Sequence, residues 1–223
     1  MVEEEINAAK RKFDLKCIRE RKERVLINSE ISILALDEGL VDLCFEAASM
    51  CIVEKWDALK DADLVIAQSY AHIQLAKCYV EFLLEEEIEI GHKELITLEN
   101  DQDEREFTVE QKDKFLQQKV KFIEHIIAAV SLGQQGKQSW LVFNASIEFW
   151  NNYLPIFKRD NFYEAVHPQG VKAMTECFEA MNNAFIGAVF SSDNVDYELD
   201  KKMQIFANLS IFLGIPLGSF LVD

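Results

Sequence analysis

Proline and glycine are scarce in this chain, three and eight residues out of 223. An all-β fold turns every few residues and draws on both for its turns, so that class is excluded. Paired cysteines are missing too. Cys17, Cys44, Cys51, Cys78 and Cys177 are odd in number, widely spaced and free of any CxxC. A disulfide framework and a zinc ribbon are thereby excluded, and a reducing intracellular compartment is expected. There is no apolar run of membrane-spanning length, and Met1–Lys12 is too charged for a secretory leader. Positive charge is in deficit: the formal net charge is −16. Nucleic acid is therefore not expected as the main partner, because phosphate binding needs a basic surface.

What is present is apolar and periodic. Hydrophobic residues make up 49% of the chain, enough for a sizeable core. Sixteen phenylalanines suit the seams between packed helices. The densest stretch is Gln138–Lys158, where Trp140, Val142, Phe143, Ala145, Ile147, Phe149, Trp150, Tyr153, Leu154, Ile156 and Phe157 occupy nearly every side of a helix. Such a helix must be covered on more than one side. Asn144, Glu148, Asn151 and Asn152 interrupt it too often for a membrane span. Trp140, Phe143, Ala145, Phe149 and Trp150 are expected to be buried.

The rest of the chain reads as helices in sequence. Residues 2–27 form a charged first helix with Ile6, Phe13, Cys17 and Val25 inward, and Asn28-Ser29 breaks it and caps a short helix through Leu36. Asp37 caps a second helix over 38–54, whose stripe is Leu40, Leu43, Cys44, Ala47, Ala48, Cys51 and Ile52. A loop over 55–60 leads to a long helix from Asp61 to Glu85. Its two stripes are Ile66, Tyr70, Ile73, Val80, Leu84 and Val65, Ala76, Tyr79, Leu83. Two stripes require two neighbours, as inside an α-solenoid.

After the acidic stretch to Phe107, Thr108 and Gln111 make a capping box that opens a helix to about Leu132. Leu116, Val120, Ile123, Ile127 and Val130 mark one face, and Phe115, Phe122, Ile126 and Ala129 another. Gly133 and Gly136 end it before the aromatic helix. A short helix at 161–166, a helix from Pro168 to Phe190 and a last one from Val195 to Leu213 complete the order. In the 168–190 helix, Ala173, Cys177, Ala180, Ala184 and Ala188 form a small stripe, and Met174, Phe178, Met181 and Phe185 a bulky one. The expected fold is an all-α, tetratricopeptide-like α-solenoid of antiparallel helix hairpins, with degenerate repeats. Its parts are N-terminal helices over 1–84, an acidic linker over 85–107 and a helical-repeat segment over 108–223.

Motifs that carry chemistry are weak. Gly133-Gln134-Gln135-Gly136-Lys137 lacks the spacing, the following Ser/Thr and the preceding strand of a phosphate loop, so a helix–helix turn is expected. Glu89 and His92 have the spacing of a di-iron half-site, but no second pair exists. The acidic run Glu99–Glu106 lacks the glycine of a calcium loop. His72 and His125 lie on apolar helices as packing residues, and Cys177 reads as a small core hydrophobe. No catalytic, cofactor-binding or metal-binding residue is therefore named, and no enzyme is expected.

Charge is unevenly spread. Lys10–Arg24 carries eight basic and three acidic residues, and Glu81–Glu106 eleven acidic and two basic. The basic helix reads first as a solvated face and second as a site for a polyanion such as an acidic protein tail. The ending Phe220-Leu221-Val222 is apolar, which fits a chain end docked on another subunit and a chain that works by assembly.

One segment carries a resemblance. Leu141-Val142-Phe143-Asn144-Ala145-Ser146, then Trp150, then Leu154-Pro155-Ile156-Phe157, resembles a segment in the N-terminal repeat region of the cilia- and flagella-associated protein 46 family. Pro168 falls where that family has a proline in the following helix, and Leu40–Leu84 resembles the same region more loosely. The resemblance implies a tetratricopeptide-rich scaffold of the central apparatus in motile cilia, without catalytic activity. Its partners would be other central-apparatus proteins near microtubules, and its location the axoneme. Members of the family are very long and this chain is short. The other reading of the same helices is a non-ciliary α-helical repeat adaptor that binds a peptide or partner helix.

Overall fold

The computed structural model describes residues 2–53, 61–86, 88, 108–157, 172–180 and 183. Among the described residues all regular structure is helical: α1 (Val2–Asp37), α2 (Val41–Val53), α3 (Ala62–Glu85), α4 (Val109–Gln135), α5 (Ser139–Phe157) and α6 (172–180). The expectations for 87–107, including Glu89, His92 and Glu99–Glu106, lie outside the described residues apart from Ile88. So do the expected helices at 161–166 and 195–213, Pro168, Met181, Ala184, Phe185, Ala188 and the Phe220–Val222 ending.

Cross-helix contacts fix the directions. Lys22 meets Asp61 and Ser29 meets Ala67, so α1 and α3 run the same way. Cys51 meets Val25 while Cys44 meets Cys78, so α2 runs against both. Ser69 meets Ala129 and His72 meets His125, which sets α4 against α3. Tyr70 meets Trp140 and Lys77 meets Glu148, so α5 returns parallel to α3. Direction thus alternates from each helix to the next over α1 to α5. The central element is α3, packed against α1, α2, α4 and α5. The two stripes read on it therefore find more neighbours than they required.

The core divides in three among the described residues. The larger part lies among α3, α4, α5 and α6, around Phe122, Ile126, Phe149, Tyr153 and Phe178. A smaller part lies among α1, α2 and α3, around Val25, Ala48, Cys51, Leu64 and Leu75, with Leu141 of α5 joining it. The smallest joins Ala35 of α1, Cys44 of α2 and Cys78 of α3. Phe149 stacks on Tyr153 with ring centres 4.5 Å apart, and Tyr153 stacks on Phe122 at 6.1 Å. Small residues Ala47, Ala48, Ala67, Ala71 and Ala76 are all buried and allow close helix approach.

Several expectations are corrected. Asn28-Ser29 does not break the first helix, which runs unbroken to Asp37. Ser29 is buried and its hydroxyl donates to the Ala67 carbonyl at 3.2 Å, while Ser32 donates back to Ser29 at 2.7 Å. The polar signal that reads as a cap is used between helices instead. Asp37 belongs to α1, and α2 starts later, at Val41. The stop is at Gly39, whose φ of 72° suits glycine. Leu40 N–H bonds to Ala35 O and Gly39 N–H to Leu36 O, the paired closure of a Schellman motif. Leu40, Leu43 and Leu84, placed on inner stripes by periodicity, are exposed.

Other signals hold. Asp61 caps α3 by accepting from the Asp63 and Leu64 amides. Thr108 and Gln111 form both bonds of the capping box on α4. At the far end of α4, Gly133 lies inside the helix and Gly136 just past it, followed by Lys137 at φ 55°. Lys137, not a glycine, thus occupies the left-handed position of the closing motif. Gly136 answers a different need: a Cβ there would lie 2.5 Å from Val65 Cγ1. Gly133–Lys137 spans the end of α4 and the helix–helix turn, and forms no phosphate loop, as expected.

Candidate interaction surface

The α1–α2 hairpin carries the apolar surface that its own packing leaves open. On α1, Ile27, Ile31 and Leu34 recur at helical spacing along one face and all are exposed. On α2, Leu43 and Met50 lie two turns apart and are each about half exposed. Asn28 Nδ2 approaches Met50 Sδ at 3.8 Å, which brings the α2 row beside α1. A groove of about 530 Å³ is lined there by Arg24, Val25 and Asn28 of α1 and by Phe45, Glu46, Ser49 and Met50 of α2. An apolar floor with an arginine and a glutamate at its edges suits a partner side chain held by burial and oriented by charge. Exposed apolar side chains grouped in this way mark an interaction surface more than scattered ones do.

The basic stretch of α1 is partly neutralised by its own helix. Arg19 Nε bonds Glu23 at 2.8 Å and Lys16 faces Glu20 at 3.6 Å, each one turn on. Lys22 contacts Asp61 at 2.7 Å and Asp63 at 3.0 Å, tying α1 to the start of α3. The Lys22 ammonium holds the Asp61 carboxyl below its usual range, helped by the Leu64 and Asp63 amides. Arg11 and Lys12 remain exposed. The solvated-face reading of this stretch is the one these pairs favour.

A polar contact interrupts the apolar seam between α3 and α4. The Nδ1 atoms of His72 and His125 are 2.9 Å apart, so one ring donates its proton and the other accepts. Tyr79 stacks on His125 with centres 5.7 Å apart. Burial pushes both imidazoles down to about 4, with the His125 ring adding to the effect on His72 and the Lys121 ammonium to that on His125. The two rings are neutral at pH 7 and act as a bridge between helices. Sequence placed each on an apolar helix but gave no sign that they meet, since 53 residues separate them. Among the described residues there is no group of three or more His, Cys, Asp or Glu side chains arranged to hold a metal ion. No helix among them is long and apolar enough to cross a membrane.

In the resembling segment, Val142, Phe143, Ala145, Phe149 and Trp150 lie in the larger core and Leu141 in the smaller. Phe143, Ala145, Phe149 and Trp150 are buried as expected, Leu141 and Val142 are buried as well, and Asn144 faces out. Trp140 is the exception, 37% exposed on the flank of α5. Its indole N–H donates to Gln138 Oε1 at 3.1 Å and its ring leans on Tyr70. Comparison with models of protein families, with curated proteins and with solved structures finds no match for this chain.

Proposed function

We propose that this chain is a structural scaffold, a tetratricopeptide-like α-solenoid of antiparallel helix hairpins that docks other proteins. The observation that carries the reading is the apolar surface left open on the α1–α2 hairpin, with Ile27, Ile31 and Leu34 exposed on α1 and Leu43 and Met50 exposed on α2. Helices that alternate in direction and pack mainly on sequence neighbours support the solenoid arrangement. The proposed setting is the central apparatus of the ciliary axoneme, with other central-apparatus proteins near microtubules as partners. That setting rests on the resemblance of Leu141–Phe157. The alternative is a non-ciliary adaptor that binds a partner helix through the same face.

The test is to express the tagged chain in motile-ciliated cells and fractionate demembranated axonemes. Retention in the axoneme, with cross-links from α1 and α2 to central-apparatus proteins, is expected. Ile31→Glu with Leu34→Glu should release the chain while leaving its circular dichroism unchanged, because both side chains are exposed. A chain that stays out of axonemes rules out the ciliary setting and leaves the adaptor. Undiminished binding by the double variant rules out this face.

A further inference from the structure

Four of the five cysteines are buried, and two of those four touch. Cys44 lies one turn into α2 and Cys78 lies on α3, and both are wholly inaccessible. Cys78 S–H donates to Cys44 Sγ at 3.3 Å and also approaches the Val41 carbonyl at 3.8 Å. The other thiols are differently placed. Cys51 donates to the backbone carbonyls of Val25 and Ala47, and burial pushes its thiol up to about 11. Cys177 is pushed up to about 12 by burial among apolar neighbours. Cys17 is partly exposed on α1.

We propose that Cys44 and Cys78 are a dithiol modification site, oxidised by a small neutral peroxide to a disulfide that staples α2 to α3. Three features carry it. The sulfurs already face one another across a helix seam, so closing to bonding distance needs only a small approach of the two side chains. The two thiols differ in acidity. The hydrogen bond from Cys78 and the charge of Lys77 favour the Cys44 thiolate against its burial, whereas Cys78 is pushed up by that bond and by burial. The pair also lies under the α1–α2 turn, whose residues Glu38, Gly39 and Leu40 are exposed. Local opening of that turn and of the first turn of α2 admits a molecule little larger than water.

The chemistry balances with hydrogen peroxide as the oxidant. The Cys44 thiolate attacks one peroxide oxygen, the O–O bond breaks, and the leaving hydroxide takes a proton to become water. The product is Cys44 sulfenic acid. The Cys78 sulfur then attacks the Cys44 sulfur, the S–O bond breaks, and the departing hydroxide leaves as water with the Cys78 proton. Two thiols and one peroxide give one disulfide and two waters, the two electrons passing from sulfur to peroxide. The staple would fix α2, which carries Leu43, Met50 and one wall of the groove. This inference does not depend on the scaffold reading.

The test treats the folded full chain with hydrogen peroxide, alkylates the remaining thiols in denaturant and maps the peptides. Expected is the loss of two hydrogens and a Cys44–Cys78 cross-link, with Cys17, Cys51 and Cys177 alkylated. In the urea-unfolded chain the same treatment should scatter cross-links among all five cysteines. Cys78→Ser should leave a Cys44 sulfenic acid that dimedone traps, and Cys51→Ser should leave the cross-link intact. Oxidised wild-type protein should unfold at higher urea than reduced protein. Full alkylation of Cys44 and Cys78 after peroxide treatment of folded wild type overturns the proposal, as does a cross-link pattern no more selective than in urea. Both readings come from the wild-type chain and hold even if a variant fails to fold.

Discussion

Phe149 and Trp140 lie on the same helix and read alike in sequence, but they should differ several-fold in what they contribute to stability. Phe149 is fully buried, stacked on Tyr153 at 4.5 Å within the larger core. Truncation to alanine removes a ring that neighbours on α4 and α5 cannot close over completely, and such changes cost about 3–5 kcal/mol. The stacking lost with Tyr153 accounts for about 0.5–1.5 kcal/mol beyond the buried area. Trp140 is 37% exposed, and its polar atom bonds to Gln138 two residues earlier. Trp140→Ala loses part of a tilted contact with Tyr70 and opens no enclosed cavity. About 1 kcal/mol is expected there. Against a total stability of about 5–15 kcal/mol, the first change removes a large share and the second does not. Urea titration of both variants, with slopes equal to wild type, reads the difference directly in the midpoints. Phe149→Leu, which keeps most of the volume, should fall between them. Equal midpoint losses for Phe149→Ala and Trp140→Ala would refute the burial pattern, and with it the place of Phe149 in the larger core.

Two further predictions concern backbone fit and protonation. Gly136→Ala forces a Cβ to within 2.5 Å of Val65 Cγ1 and should cost about 1–3 kcal/mol, whereas the neighbouring Lys137→Gly relieves a left-handed residue and should stabilise by about 0.5–1 kcal/mol; thermal midpoints moving in the same direction would contradict the turn geometry. Both histidines have folded values near 4 against an ordinary 6.5, so between those limits the unfolded chain holds more protons than the folded one. Stability should therefore fall as pH falls from 6.5 toward 4, by up to about 2.7 kcal/mol per pH unit for two protons. His72→Gln with His125→Gln should flatten this dependence in urea titrations at several pH values, and an unchanged slope would show that the pair is not buried and neutral.

Much of the helical order was legible because its signals are local. Thr108 with Gln111 and Asp61 before a long apolar pattern each satisfy amides within a single turn, and the structure uses both as read. Periodicity also found the inner faces of α3 and α4, since Val65, Ile73, Ala76, Leu83, Phe115, Phe122, Ile126 and Ala129 are all buried. Where signals had an alternative use across helices, local reading failed. Ser29 looked like a cap but donates to Ala67 on α3, which lets α1 continue through it. Leu40 and Leu43 fitted an inner stripe, but the later start of α2 and its packing on α1 and α3 leave them outside. Gly136 looked like a helix stop, and a further reason for it turned out to be Val65 on another helix.

Sequence by itself determined the helical class, because sparse glycine and proline and apolar periods near 3.6 admit no sheet of ordinary kind. It also determined the starts of α3 and α4, since capping is a matter of neighbours along the chain. Only the tertiary structure decided which side chains meet. His72 with His125, Cys44 with Cys78 and Lys22 with Asp61 are separated by 53, 34 and 39 residues, distances over which no local pattern constrains pairing. It alone decided, too, which apolar residues remain outside. Ile27, Ile31 and Leu34 are as hydrophobic as any core residue, and their exposure follows from α1 giving its opposite face, with Val25, Ser29 and Ser32, to α2 and α3. A helix with more apolar faces than neighbours must leave one uncovered, and the number of neighbours is a property of the packed chain.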